Sequence, residues 1–302
     1  MTYFWFFSLF IIIELIYLKI ARKVGFMDLP NHRSSHLQPT IRGGGVIFPI
    51  ALFLCYFSSA HHLHLLLISI LLLAVISLID DKYSLTSKLR FAMHLIASLL
   101  LIIQLELPLL NWMLPIILFV FVGGLNAFNF MDGINGITAL YSIVTLLTLY
   151  VANTQFPFIE ANYIIFPLLS VLAFSFFNVR KRALCFAGDV GSICIAGIIL
   201  FLLFRLVIHT QNYFYLLILL VYALDSGATI LRRKCSGENI FKPHRKHLYQ
   251  QLVHKKKLNH LQVSFLFATV QLFVNIFVLF EKNIYWIIFL FLLVLISYIF
   301  AF

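Results

Sequence analysis

Residues 63–82 read LHLLLISILLLAVISLIDDK. From 63 to 79 the only polar side chains are His64, Ser69 and Ser77, and then Asp80, Asp81 and Lys82 follow without a break. A run apolar on every side has no polar face to turn to water, so its natural surroundings are lipid or other helices. It is also far longer than the roughly 9–11 residues of a membrane barrel strand. The stretch therefore predicts a helix through lipid that stops at a charged surface. Ten more runs of this character lie at 3–20, 46–60, 91–105, 109–125, 137–152, 162–178, 190–209, 213–230, 261–280 and 283–302. Several fall short of the roughly 20 residues of a full crossing, so their helices are expected to continue into the flanking polar motifs. The fold class that follows is all-α: a polytopic membrane helical bundle of about 10–11 transmembrane helices, one integral domain over residues 1–302.

Composition excludes the alternatives. The 302 residues are 62% hydrophobic and 11% charged, with a mean hydropathy of +1.01, where soluble domains carry about 25% charged residues. That rules out a soluble enzyme, a disordered chain and a secreted disulfide scaffold. Cys55, Cys185, Cys194 and Cys235 form no metal-ligand spacing and read as reduced and structural. The first basic residues, Lys19, Arg22 and Lys23, come after the first apolar run rather than before it. That order predicts a retained first span, not a signal peptide.

With eleven spans the loops alternate between the two sides. The loops at 21–45, 80–90, 126–136, 180–189 and 231–260 hold 19 of the 22 Lys and Arg residues. The positive-inside rule makes this set cytoplasmic and leaves the N-terminus outside. The same loops carry almost all the polar motifs, so the chemistry is expected at the cytoplasmic face.

Adjacent carboxylates such as Asp80 and Asp81 repel each other unless a cation sits with them. The alternative is a solvated helix end. In the run from Asn126 to Gly136, helical spacing would put Asn126, Asn129 and Asp132 on one face, where they could offer oxygen ligands to a hard cation or hydrogen bonds to a sugar. Asp189, between Gly188 and Val190 at the start of an apolar run, reads equally as a helix N-cap or a metal ligand. In the last loop, the many lysines suit topology and anionic lipid, whereas His244 and His247 flanking Arg245 suit an oligophosphate better. The glycines after Arg42 could admit a phosphate or a close helix contact. Asp225 is expected to pair with Arg232, Arg205 to snorkel outward, and Glu14 has no evident partner. Neither a zinc ligand set nor a phosphate loop for ATP hydrolysis is present. Oxygen ligands and a cationic wall at the headgroup plane suit two phosphorylated reactants, one soluble and one in lipid, with metal and Arg/Lys groups offsetting their repulsion.

These residues resemble the polyprenyl-phosphate N-acetylhexosamine-1-phosphate transferases. The resemblance rests on Asp80-Asp81 with Lys88, on Asn126 to Gly136, on Phe186-Ala187-Gly188-Asp189-Val190-Gly191-Ser192 and on His244-Arg245-Lys246-His247-Leu248-Tyr249-Gln250. The segments Pro30-Asn31-His32-Arg33-Ser34-Ser35-His36 and Arg42-Gly43-Gly44-Gly45 add to it. The motifs run in family order from about residue 28 to 250. The resemblance implies that Asn129 and Asp189 ligate Mg2+ and that Asp80, Asp81 and Asp132 are catalytic. It likewise implies that Lys88, Asn126, His244, Arg245 and His247 bind substrate. It departs from the family at Asn135, where a second acidic residue is usual, at Ala187, and in the His-Arg-Lys-His segment, which looks like the subgroup that initiates O-antigen-type polysaccharides.

The reaction so implied transfers an N-acetylhexosamine-type sugar-1-phosphate from a UDP-sugar to undecaprenyl phosphate, releasing UMP, in a bacterial inner membrane. A phosphate monoester with a second pKa near 6 is already a nucleophile at neutral pH, which favours direct displacement. A covalent phospho-aspartate is the other route. A lipid-linked-sugar or anion transporter is the rival class and predicts polar residues spread through the bilayer and over both faces; a non-catalytic scaffold is a further rival. Which UDP-amino-sugar is used stays open, and the aromatic faces neither favour nor oppose a homodimer.

Overall fold

A computed structural model describes residues 2–29, 38–107, 113–239, 244–281 and 283–301. The motif at 30–36 lies outside them. Every apolar run contains an α-helix among the described residues. Among the described residues, eight helical segments are long and apolar enough to cross a membrane, and Gly44–Ser58, Asn162–Asn178 and Ile284–Tyr298 are shorter apolar helices. In chain order the elements begin with α1 (Thr2–Val24), two antiparallel two-residue strands, β1 (Met27–Asp28) and β2 (Thr40–Ile41), and α2 (Ile47–Ser58). They continue with α3 (His64–Tyr83), α4 (Ser87–Gln104), α5 (Leu114–Met131), α6 (Ile137–Gln155) and α7 (Asn162–Asn178). Then come α8 (Gly188–Thr210), α9 (Leu220–Cys235), the short α10 (Leu248–His254), α11 (His260–Phe280) and α12 (Ile284–Ala301).

The axis of the bundle is α8. It is apolar all round, and from Gly188 to Val207 only Asp189 and Arg205 escape burial. Helices α3, α5, α6, α2 and α4 pack around it. Small residues let them come close, as membrane packing requires: a Cβ on Gly197 would lie 2.7 Å from Ile70 Cδ1.

Both ends of the bundle are tied by polar contacts between turns. At one end, Ala60 and His61 N–H donate to Glu160, Leu65 N–H donates to Gln104, and Arg205 Nε reaches the Phe158 carbonyl. The other end gathers the described parts of the turns after α1, α3, α5 and α7, together with residues 244–259 between α9 and α11. These are the loops that hold the basic residues.

Two features prepare that second end. First, the chain after β2 runs beside the chain before α8. Phe186 N–H donates to the Ile41 carbonyl (2.8 Å), Gly44 N–H to the Phe186 carbonyl (2.8 Å) and Gly45 N–H to the Ala187 carbonyl (3.0 Å). The backbones meet so closely that a Cβ on Gly191 would lie 2.7 Å from Gly45 Cα. Second, the span ahead of α9 is not uniformly helical. Residues Tyr213–Leu219 form a 3-10 turn, and non-helical backbone at membrane depth needs protein partners. Gln271 supplies them, accepting from Val221 N–H and donating to the Leu217 carbonyl, with Tyr141, Asn275 and Thr148 completing a closed network.

Three expectations are corrected or completed. Asp225 does not pair with Arg232; its carboxylate accepts from His247 Nδ1 (3.0 Å), the N–H groups of Leu248 (3.0 Å) and Tyr249 (3.2 Å), and Thr229 Oγ1 (3.3 Å). Glu14 is fully buried and accepts from Cys185 Sγ at 3.3 Å, a partner far away in sequence. The four cysteines are free thiols, as expected.

Gly191→Ala should lower the detergent melting temperature by the equivalent of about 1–3 kcal/mol, because backbone rather than a mobile side chain meets the new methyl. Gly227→Ala, where nothing lies within 4 Å, should leave the melting temperature unchanged or slightly raised in the same assay.

Candidate active site

A carboxylate in the last turn of a helix faces the negative end of the helix dipole and needs compensation. Asp80 and Asp81 both sit in the last turn of α3, which continues past the apolar run to Tyr83. Asp80 is compensated within its own hairpin: Arg90 Nη1 lies 3.2 Å from Oδ2, and Leu85 N–H donates to Oδ1 at 2.6 Å. Asp81 reaches across to the positive end of α8. Its oxygens accept from the N–H groups of Asp189 (3.3 Å) and Val190 (3.5 Å), which the first turn of any helix leaves unpaired. Gly188, at φ +70°, permits the approach, since a Cβ there would lie 2.8 Å from Asp81 Oδ2.

Arg42 closes the cluster. Its Nε is 2.7 Å from Asp81 Oδ1 and its Nη2 is 3.1 Å from Asp189 Oδ1. The Asp81 side chain is fully buried, whereas that of Asp189 is 18% exposed and that of Arg42 is 33% exposed. Asp81 is thus the anchor, and Asp189 is the carboxylate open to a ligand.

From α5, Asn129 Nδ2 lies 3.4 Å from Ser192 Oγ, one turn beyond Asp189. Asn126 instead donates to the Val122 carbonyl of its own helix at 2.7 Å. Asp132 is not the third member of a helical face, because α5 ends at Met131 and Asp132 takes the non-helical cap position. Its carboxylate accepts from Thr138 Oγ1 at 2.7 Å. Burial pushes the Asp132 carboxyl up to about 7; the Thr138 hydrogen bond opposes the shift, and the Asp189 charge adds to it.

The residues expected to clamp a diphosphate divide. His247 is 3% exposed, built into the fold by Asp225 and by its capping box with Gln250 at the start of α10. His244 stacks on it, with ring centroids 5.0 Å apart. Burial and the neighbouring His247, Arg233 and Lys246 push His244 down to about 4, so at neutral pH it is an uncharged hydrogen-bonding group. Arg245 is half-buried, and Lys88 lies exposed in the first turn of α4. Tyr249 docks α10 onto the α5–α6 turn by donating to the Phe130 carbonyl at 2.9 Å, over Gly133, where a Cβ would collide with its hydroxyl.

A cavity of about 570 Å³ is lined among others by Thr40, Asn135, Lys181, Arg182, Phe186 and His260. Asn135 Nδ2 is held by the carbonyls of Arg180 (2.9 Å) and Lys181 (3.3 Å), while its Oδ1 is buried without a hydrogen bond. The cavity thus combines two cations, an aromatic ring and a fixed amide.

The donor set fits Mg2+. Asp189, Asn129, Asp132 and Ser192 are hard oxygen groups gathered at one helix end. Among the described residues no three His, Cys, Asp or Glu side chains stand ready to hold a metal by themselves. Mg2+ is commonly bound through one or two carboxylates completed by substrate phosphates and water, so a sparse protein set suits it better than zinc.

Arg42, Arg90, Thr138, Ser192 and Asp225 belong to the assembly but were not singled out as site residues in the sequence. Their roles depend on partners from other turns. Arg42 and Ser192 carry a local signal, their places in the two glycine motifs.

Asp225→Ala should release α10, since it leaves His247 and two backbone N–H groups buried without their acceptor, a loss of about 3–5 kcal/mol. Hydrogen exchange at the Leu248 and Tyr249 amides should accelerate by at least about 100-fold, while exchange in α8 stays slow.

Residues 63–207 match the family model described as glycosyl transferase family 4. A Bacillus subtilis protein named probable undecaprenyl-phosphate N-acetylglucosaminyl 1-phosphate transferase is 26% identical, over 80% of this chain and 74% of its own length. The Yersinia pestis undecaprenyl-phosphate alpha-N-acetylglucosaminyl 1-phosphate transferase is 26% identical, over 78% of this chain and 71% of its own. A Streptococcus pyogenes phospho-N-acetylmuramoyl-pentapeptide-transferase is 27% identical, over 71% and 72%. The matched residues run from α3 into α8, the part of the chain that brings Asp80, Asp81, Asn129, Asp132 and Asp189 to one end of the bundle, so the similarity to glycosyl transferase family 4 falls on the candidate site.

Proposed function

We propose that the chain transfers an N-acetylhexosamine-type sugar-1-phosphate from a UDP-sugar to undecaprenyl phosphate, releasing UMP and starting a lipid-linked surface polysaccharide of the O-antigen type. The reading is supported most by the convergence of Asp81, Asp189, Asn129 and Asp132 at the N-terminus of α8. The names of the relatives supply the phospho-sugar and the undecaprenyl phosphate. The basic-residue asymmetry supports placing this end at the cytoplasmic face of a bacterial inner membrane. There a soluble donor and a lipid-anchored acceptor can meet.

In this reading the cavity beside Phe186 takes the donor nucleoside, with Lys181 and Arg182 at its rim. Asn129 and Asp189 would hold Mg2+, which supplies charge neutralisation between the two phosphates. His244 and Arg245 orient the diphosphate, His247 keeps that segment in place, and Lys88 attracts the acceptor headgroup. Asn126 lies one turn before Asn129 and supports that face of α5.

The acceptor phosphate, with a second pKa near 6, attacks the sugar-bearing phosphorus, and UMP leaves. Any proton still on the attacking phosphate passes to Asp132, whose carboxyl near 7 is matched to that exchange. Asp80, tied to Arg90, and Asp81, tied to Arg42, hold those cations where the phosphates approach. The transporter alternative gains nothing from the Gln271 network in mid-bundle. Its hydrogen bonds close on themselves and on the 3-10 backbone.

Purified protein given undecaprenyl phosphate and a panel of UDP-amino-sugars should release UMP with at least one donor, and only when magnesium is present. Asp189→Asn and Asp132→Asn should each lower kcat by at least about 100-fold. Undiminished turnover in excess chelator would contradict the metal. UMP release without lipid acceptor would replace direct displacement by a covalent intermediate.

A further inference from the structure

Arg42 occupies the place where a cation is needed when no metal is bound. Two carboxylates face each other across it, Asp81 from α3 and Asp189 from α8, and the guanidinium meets them through different N–H edges: Nε to Asp81 and Nη2 to Asp189. One contact can therefore break while the other holds.

We infer that Arg42 is the resident counter-cation of the site: it neutralises Asp189 in the metal-free protein and yields that carboxylate to a divalent ion while keeping Asp81. This deepens the magnesium reading above and rests on it.

Accessibility sets the order of exchange. The Asp81 side chain is fully buried and also engaged by two backbone N–H groups, so an entering ion does not reach it. Asp189 is partly open, and the oxygen that Arg42 holds there is Oδ1. Two cations on one carboxylate oxygen repel each other, so ion and Nη2 compete for it.

The backbone of Arg42 cannot follow the exchange. Its N–H donates to the Phe26 carbonyl (3.2 Å), its carbonyl accepts from Tyr17 Oη (2.5 Å), and the adjacent Ile41 and Gly44 are paired to the chain before α8. Only the side chain can swing, and it is one-third exposed. Besides Asp81, the charged side chains around it are Asp80 and Arg90 from the α3–α4 hairpin, Asp132 after α5 and Asp189 on α8, with Asp28 on β1. Among the described residues the other cation of this set, Arg90, is held by Asp80.

Competition has a signature that a purely structural arginine lacks. Removing it should tighten metal binding even as turnover falls. Mn2+ binding to the detergent-purified full chain can be followed by the electron paramagnetic resonance of free Mn2+, with no substrate present. Arg42→Gln should bind Mn2+ about 10–100-fold more tightly than wild type, the equivalent of one charge-assisted hydrogen bond. Arg42→Lys, which keeps the charge but loses the fork, should fall between them, and it guards against a folding defect in the glutamine variant. Asp189→Asn should weaken binding in every background. Mn2+ affinity equal to or below wild type in both Arg42 variants, with Asp189→Asn still weakening it, would overturn the role of Arg42 alone. Absence of saturable binding in wild type and Arg42→Gln alike would overturn the magnesium reading and this inference together.

Discussion

The carboxylate of Asp81 lies against the N-terminus of α8, and the functional end of the molecule is organised around that contact. A helix start presents unpaired N–H groups and a partial positive charge, while a helix end repels carboxylates. Joining the end of α3 to the start of α8 satisfies both at once. Because Asp81 is fully buried there, it fixes the height of α3 against the central helix. Arg42 then links the same carboxylate to Asp189, and the strand-like pairing of residues 41–45 with 185–187 holds Arg42 in place. Two chain segments far apart in sequence, the end of α3 and residues 41–45, are thereby locked to one helix terminus.

The membrane setting explains why polar chemistry gathers at that terminus. Within the bundle, polar groups are tolerated only where they close on one another, as Gln271 does around the 3-10 backbone before α9. At the end of the bundle, carboxylates, amides and cations can meet charged reactants without crossing lipid. Asp225 performs the corresponding task for the last loop: from inside α9 it caps α10 and holds His247. The segment that carries His244 and Arg245 is thereby anchored rather than left as a surface loop.

Much of this was legible in the amino-acid order. Apolar runs mark spans because lipid imposes one requirement on every residue they contain, and each run contains an α-helix among the described residues. Asn129 stands out by its spacing to Asn126 and Asp132, and Asp189 by its place after Gly188, but a metal role for either comes only from the resemblance. What was not legible depends on three-dimensional pairing. Asp225 shares a helix with Arg232, yet apart from Thr229 its partners come from the next loop. Asp132 was placed on a helical face, whereas Gly133 and the docking of Tyr249 end the helix before it. Asn126 has helical spacing to Asn129 yet turns back to its own backbone. His247 looked like a surface clamp, and only its partner Asp225 shows it to be a buried cap.

The central claim is that Asp81, Arg42 and the start of α8 act as one unit. A double-mutant cycle with Asp81→Asn and Arg42→Gln, read by thermal unfolding in detergent, tests it most directly. If the unit is real, the two substitutions are coupled by about 1–3 kcal/mol, the double variant losing far less than the two singles combined. Additive losses, within about 0.5 kcal/mol, would mean that the two side chains do not depend on each other, and the account of how this site is assembled would be wrong.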